Sequence, residues 1–289
     1  MSSLAVDVRS ELSEFLKSRR ARLTPEEVGL ASHGGQRRVR GLRREELALL
    51  AGVSVAHYTR LEQGNSDNVS PKVIDAIART LRLNEDERAY LHRLAHPPQA
   101  RHEAPRVRVR EGLQRVLDSM EHNPVFVLGH HTDIVAWNRA AAALVDLAAF
   151  PPERRTWSHQ VFLNEEYRLM LGADWQRFAG EHVAYLRVLL ARNPEDPRLT
   201  AHVRAMRDAS EEFRRLWDEH DVATWSHRDY RFVHPVAGEL ELFGETMLLP
   251  GDPDLSELEL LVAEPGSRSE AALRYLASTT DRKASAELT

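Results

Sequence analysis

Five arginines crowd the stretch QRRVRGLRREE: Arg37, Arg38, Arg40, Arg43 and Arg44. Guanidinium groups at that density attract a phosphate backbone. Just beyond them, Val55, Ala56, Thr59 and Arg60 fall on one side of a helical repeat whose other side carries Tyr58 and Leu61. The outward set has the chemistry to read base edges in a major groove. A guanidinium pairs bidentately with guanine O6 and N7, a threonine hydroxyl bonds a base, and valine and alanine meet a thymine methyl. His57 and Gln63 lie at the rim, within reach of phosphate. Arg60 is also near enough to balance Glu62. Glu62 itself reads as a residue that holds other side chains, since a carboxylate turned toward phosphates costs affinity.

Other chemistries are poorly supplied. Cysteine is absent, which excludes disulfides, a thiol nucleophile and cysteine-ligated zinc. Among the 14 histidines, His92 and His96 stand four apart, His130 and His131 are adjacent, and His220, His227 and His234 are evenly spaced. Two histidines four apart on a helix can hold zinc, but no His-Glu-x-x-His occurs and Pro97 follows His96. No phosphate-cradling glycine loop or nucleophile elbow is present. The expectation is a protein without catalytic residues, metal or cofactor.

The reading face needs elements to present it. In GLRREELALLAGVSVAHYTRLEQGN the apolar positions recur three or four apart and then stumble at Ala51-Gly52-Val53-Ser54. Glycine tolerates the left-handed conformation that ends a helix, and serine is a preferred N-cap. Two short helices joined by a tight turn therefore fit best, one from about Arg43 to Ala51 and one from Val55 to Gln63, stopped by Gly64. Ala48 supplies the small residue at the crossing, and Leu47, Ala51, Val53, Tyr58 and Leu61 the inward faces. The pattern is a helix-turn-helix. Arg43 and Arg44 then sit at the positive end of its first helix, where they position a phosphate backbone without specifying sequence.

An amphipathic helix precedes the motif in VRSELSEFLKSRRARL. Two more follow, one opened by Ser70 and Pro71 and one by Asn84. Five helices complete a first domain over residues 1–96. The proline- and charge-rich HPPQARHEAPR marks a linker at 97–106. From 107 to 289 the periodicity changes: a helix to Met120, two short strands around Gly129 to Asp133, a helix capped by Asn138, a long helical stretch, and strands in YRFVHPVAGELELFGETMLLP and LSELELLVAEPG. The expected fold is an all-α five-helix domain followed by an α+β domain, one antiparallel sheet with a helical insertion and helices on a single face.

At 289 residues with 42% hydrophobic composition, both domains can bury a core. The net charge of −5 conceals an asymmetry: residues 1–100 carry 16 Lys and Arg against 13 Asp and Glu, the remainder 23 against 31. No apolar run approaches the roughly 20 residues that span a bilayer. With no signal-peptide core either, the expected location is the cytoplasm.

The first domain resembles the Xre-type helix-turn-helix regulators, and in particular an actinobacterial group, through RRVRGLRREELALLAGVSVAHYTRLEQG and the SPKVIDAIARTLRL segment after it. The second resembles the MmyB-like regulator ligand-binding domain through DIVAWN, ADWQ, NPEDPRL, EEFRRLWDEHDV, FVHPVAGELEL and AEPGS. At ERRTWSHQVF the chain departs from relatives, which carry Arg-Asn there. The resemblance implies a PAS-like second domain, a fatty acid or similar small apolar ligand, and a homodimer on a pseudo-palindromic double-stranded operator. A cavity beneath the sheet would be lined by Phe126, Val135, Trp137, Phe162, Trp175, Trp217 and Phe243, residues equally at home in a core. His234 would be its polar partner or else a satisfied strand-end histidine. The alternative is a second domain that serves only dimerisation or a protein partner.

Overall fold

The computed structural model describes residues 8–30, 41–67, 69–97, 109–194, 196–224, 227–250, 252 and 255–286. They form two compact units that interleave along the chain. The first joins Met1–His102, Val183–Arg204 and Arg215–Thr224; the second joins Glu103–His182, Ala205–Arg214 and Trp225–Thr289. Of the expected linker only Pro97 is among the described residues, and Arg37, Arg38 and Arg40 lie outside them.

The first unit opens with α1 (Val8–Arg22), α2 (Arg44–Ala51), α3 (Val55–Glu62), α4 (Pro71–Thr80) and α5 (Glu85–Ala95). Each start has a local cause. Ser54 Oγ accepts the His57 N–H at 3.1 Å, Ser70 Oγ accepts that of Val73 at 3.4 Å with Pro71 in the first turn, and Asn84 and Glu87 cap each other reciprocally. Arg43 proves to be the N-cap of α2, its N–H donated to Glu46 at 2.8 Å. That helix stops at Gly52, at φ 68°, where the Gly52 N–H reaches Leu49 O and the Val53 N–H reaches Ala48 O. This is the paired bonding of a Schellman turn. Leu12, Phe15 and Leu16 of α1 meet Leu47, Ala48, Tyr58, Leu61, Ile74, Ile77 and Leu91 in one core.

The second unit contains α6 (Glu111–Ser119), β1 (Val125–Gly129), β2 (Ile134–Trp137), α7 (Arg139–Leu144), α8 (Trp157–Leu163), α9 (Glu165–Leu171), β3 (His227–His234), β4 (Gly238–Leu248), β5 (Leu255–Val262) and α13 (Arg268–Ala286). Helices α10 (Trp175–Arg192), α11 (Pro197–Ala209) and α12 (Glu211–Asp218) contribute residues to both units. The strands make one antiparallel sheet in the order β2-β1-β5-β4-β3. Asn138 does more than cap α7. Its Oδ1 accepts from Ala141 and Val125, and its Nδ2 donates to Met120 O and Asn123 O, so one buried amide ties α6, β1 and α7 together.

Helices cover both faces of this sheet, which corrects the expectation of a single covered face. Leu113 and Leu117 of α6 pack with Val125, Val127 and Leu258 on one side. The other side carries Phe126, Tyr230, Phe232 and Glu259, against which α9 sets Tyr167, 6.3 Å from the Phe232 ring. Alternation in β5 is thereby inverted: its leucines 258 and 260 face α6, and its glutamates 257 and 259 face the aromatic layer.

Gly64 tests the first-unit packing. It sits at φ 87°, and a Cβ there would lie 2.2 Å from Arg9 O of α1. Gly64→Ala is expected to destabilise the chain by roughly 1–3 kcal/mol. Gly112→Ala, in α6 with open space around it, should be neutral or gain up to about 1 kcal/mol. The midpoints of urea unfolding, compared between the two variants, check this.

Candidate DNA interface and candidate ligand layer

Helix α3 separates its residues sharply by side. Tyr58, Leu61 and Glu62 are fully buried, whereas Val55, Ala56, Arg60 and Gln63 are exposed and Thr59 is half-buried. The four residues expected to read bases therefore share a free side of the helix. His57 is half-buried, and its Nε2 is screened from solvent without a partner among the described residues, so that nitrogen is not presented to a phosphate. Arg43 and Arg44 are exposed at the start of α2.

What holds α3 in place is a charge the sequence pattern only hinted at. The Glu62 carboxylate, fully buried, accepts from Arg20 Nε of α1 at 2.6 Å, from Arg44 Nε of α2, and from the Tyr58 hydroxyl at 3.2 Å. Its partners are thus Arg20 and Arg44, and Arg60 is left for other work. Burial alone would raise the Glu62 pKa, but the hydrogen bonds from Arg20 and Arg44 overcome it and hold it below the ordinary 4.5. The Tyr58 phenol is pushed up by burial and by the Glu62 charge, and so stays a donor.

The eight residues expected around a ligand do not gather in one place. Phe126, Phe162 and Trp175 are buried in the second unit, with Phe162 6.2 Å from the Trp175 ring and 5.1 Å from that of Phe213. Trp137 stands opposite Phe126 in register and stacks beneath the Arg155 guanidinium at 5.3 Å. Val135 instead packs into the cluster beneath α6. Phe243 is 44% exposed, on the other side of β4 from Leu240 and Leu242. Trp217 falls in the first unit, under the Arg187 guanidinium at 4.2 Å.

His234 is occupied by its own hairpin. Its Nδ1 accepts the N–H groups of Val236 and Ala237, both at 3.2 Å, and it makes a backbone hydrogen bond with Ala143. Burial lowers its pKa, keeping the ring neutral. The strand-end reading therefore describes it. His92 and His96 are likewise engaged, by Asp75 and by Val69 O at 2.8 and 2.9 Å. Among the described residues no three His, Asp or Glu side chains group to hold a metal.

Other residues fill the centre of the layer. Tyr230 donates its hydroxyl to buried Glu259 by reaching across β4, which it can do because Gly244 leaves space where a Cβ would stand 2.6 Å from the ring. Burial, followed by the Glu259 charge, raises the Tyr167 phenol pKa. The Trp157 ring lies 5.0 Å from Phe126 and 5.7 Å from Tyr167. Its Nε1, like the Oγ1 of buried Thr132, is enclosed without a partner among the described residues. Thr132 holds φ 63°, an uncommon state for a β-branched residue. The layer is aromatic with polar groups on its floor. The sheet register brings Phe126, Tyr230 and Glu259 to one face, and the helices α8 and α9 add Trp157 and Tyr167 to it.

A helix-turn-helix with a free side on its second helix, joined to an α+β unit with an aromatic interior, defines a DNA-binding regulator with a ligand-binding domain. A helix-turn-helix domain model matches residues 11–91, and the MmyB-like transcription regulator ligand binding domain matches residues 109–276. The second match spans more than half the chain, which belongs to that MmyB-like regulator family. Neither match is to an enzyme family. No curated protein matches the chain. No helix among the described residues is long and apolar enough to cross a membrane.

Glu62 sets a pH dependence. Because its folded pKa lies below 4.5, its stabilising contribution is complete above the unfolded value and is lost as pH falls through the folded one. Glu62→Gln is expected to lower the thermal midpoint at neutral pH and to flatten the loss of stability between about pH 5 and pH 3. Melts of both proteins across that range measure it.

Proposed function

We propose that the protein is an Xre-type regulator that binds a pseudo-palindromic operator as a homodimer in the cytoplasm and responds to a small apolar metabolite. The observation that carries the DNA half is the exposure of Val55, Ala56 and Arg60, with half-buried Thr59 beside them, on a helix whose opposite side is anchored through Glu62. Arg60 pairs with a guanine, Thr59 bonds a base, and Val55 and Ala56 meet a thymine methyl. Arg43, the exposed part of Arg44 and Gln63, with Arg37, Arg38 and Arg40, contact phosphates and fix register.

The ligand half rests on the family and on the aromatic layer. The strand order β2-β1-β5-β4-β3 with a helical insertion supports a PAS-like reading. A fatty acid is the first candidate ligand, its apolar body lying along Phe126, Trp157, Phe162 and Trp175. Glu259 offers a hydrogen-bond acceptor in the same layer, so the corresponding alcohol and amine belong among the probes. The other reading, a second domain for dimerisation alone, draws on the exposed apolar side of β3 and β4 at Val233, Phe243 and Met247.

Two measurements separate these possibilities. Arg60→Ala is expected to relax discrimination at one base pair per half-site by roughly 1–3 kcal/mol, and Arg43→Ala to weaken all sequences alike. A uniform loss for Arg60→Ala, with the preference matrix unchanged, overturns the assigned reading face. Solvent extraction of the purified full chain followed by mass spectrometry should yield an apolar metabolite. An empty extract, with no thermal shift from the acid, alcohol or amine series, favours dimerisation alone.

A further inference from the structure

The largest fully buried side chain among the described residues is an arginine, Arg187 on α10. It belongs to the stretch matched by the ligand-binding family, yet it is part of the first compact unit and its partners are there. Its Nη1 donates to Glu11 on α1 and lies 3.1 Å from His220 Nδ1; its Nη2 donates to Trp217 O; its guanidinium lies over the Trp217 ring. Glu11 is held from a third side by the Tyr90 hydroxyl of α5 at 2.8 Å. A buried guanidinium with this many partners cannot lose one cheaply, since the charge left behind has no water to turn to.

Helix α1 is thereby held at two points. Near its start Glu11 meets Arg187, and near its end Arg20 meets Glu62 of the recognition helix, at 2.6 Å. Between them Arg19, also buried, donates to His220 O at 2.5 Å and pairs with Glu87 of α5 at 2.8 Å. Helix α10 runs unbroken from Trp175 to Arg192. Its first turns, in the second unit, place Phe178 4.8 Å from the Tyr230 ring and His182 2.8 Å from Ser158 Oγ, both within the aromatic layer.

We infer that Arg187 is a positioning residue for DNA reading: through Glu11 it fixes α1, and through Arg20 and Glu62 the angle at which α3 is presented. The inference rests on DNA binding by α3 and needs no knowledge of the ligand. It assigns a DNA-binding role to a residue outside the helix-turn-helix match.

The test uses the full chain and an operator selected by the wild-type protein from random duplexes. Affinities for that operator and for a scrambled duplex are measured by fluorescence anisotropy, together with thermal midpoints. Selection of a preferred sequence establishes DNA reading independently, so failure there is distinct from failure of Arg187. Arg187→Met is expected to lose at least about tenfold in operator affinity with scrambled-duplex affinity unchanged, because the phosphate-facing arginines stay in place. The pair Glu11→Leu with Arg187→Met removes both buried charges and should regain the thermal midpoint without regaining operator affinity.

Recovery of both quantities in the double variant would make the pair structural only and overturn the inference. Wild-type operator affinity in Arg187→Met would do the same. Should Arg187→Met not fold, the double variant decides by the same criterion. Should neither fold, Arg187→Lys decides, since it keeps the charge opposite Glu11 but cannot also serve Trp217 O and His220. A drop in its operator-to-scrambled ratio supports the inference, and an unchanged ratio sinks it.

Discussion

A carboxylate with no access to water is costly to bury, and Glu62 is such a group placed in the middle of the DNA-binding helices. Its burial is compensated by three donors from three elements, Arg20 of α1, Arg44 of α2 and Tyr58 of α3 itself. The consequence is geometric. Two hydrophobic helices in contact can slide by fractions of a turn at small cost, but a charge that must keep three bonds admits one placement. That constraint decides which side of α3 is free, the side that leaves Val55, Ala56, Arg60 and Gln63 exposed. It also divides the arginines of the basic cluster: Arg44 spends one of its donors on Glu62, whereas Arg43 keeps its side chain in solvent.

The second unit repeats the logic with a different neighbour. Glu259 faces an aromatic layer, where an unpaired carboxylate would be expelled or protonated. Tyr230 satisfies it from two strands away. This works only because β4 carries Gly244 at the crossing, so a residue with no side chain is what permits a long-range bond. Two covered sheet faces follow from the same strand, since α6 must shelter the leucines that β5 turns away from the glutamates. On the β3 and β4 half of that face, Val233, Phe243 and Met247 stay open.

Local signals were legible in the sequence and distant ones were not. Ser54, Ser70 with Pro71, Asn84 with Glu87, the α7 cap made by Asn138 and the Gly52 stop all act within four residues, and each appears where the chain pattern puts it. The five helices, the hairpin and the later strands follow from them and from periodicity. The facing of β5 was not legible: LSELELLV alternates only in part, and alternation does not say which face is inside when both are covered. Val135 and Phe243 were expected in the ligand layer for the same reason, as apolar residues on strands, and register sends them elsewhere. Arg187 and Glu11 are 176 positions apart, and nothing near either announces the other. Glu62 lay between these cases. Its type was wrong for a phosphate-facing surface, which suggested a structural role, but its partner on α1 had no local mark.

The residues without a local signal are also those with the largest reach. A ligand alters DNA binding only through a difference in its affinity for two states of the protein, and equal affinity shifts nothing. Contacts that can tell two states apart must be discrete, because a hydrophobic surface yields gradually whereas an ion pair is either made or broken. Helix α10 carries both kinds. Its first turns carry Trp175 and Phe178 against other aromatic rings, and its later turns carry a guanidinium bonded to Glu11 and to Trp217 O. By way of Glu11, Arg20 and Glu62, the position inferred for Arg187 bears on the side of α3 proposed to read bases.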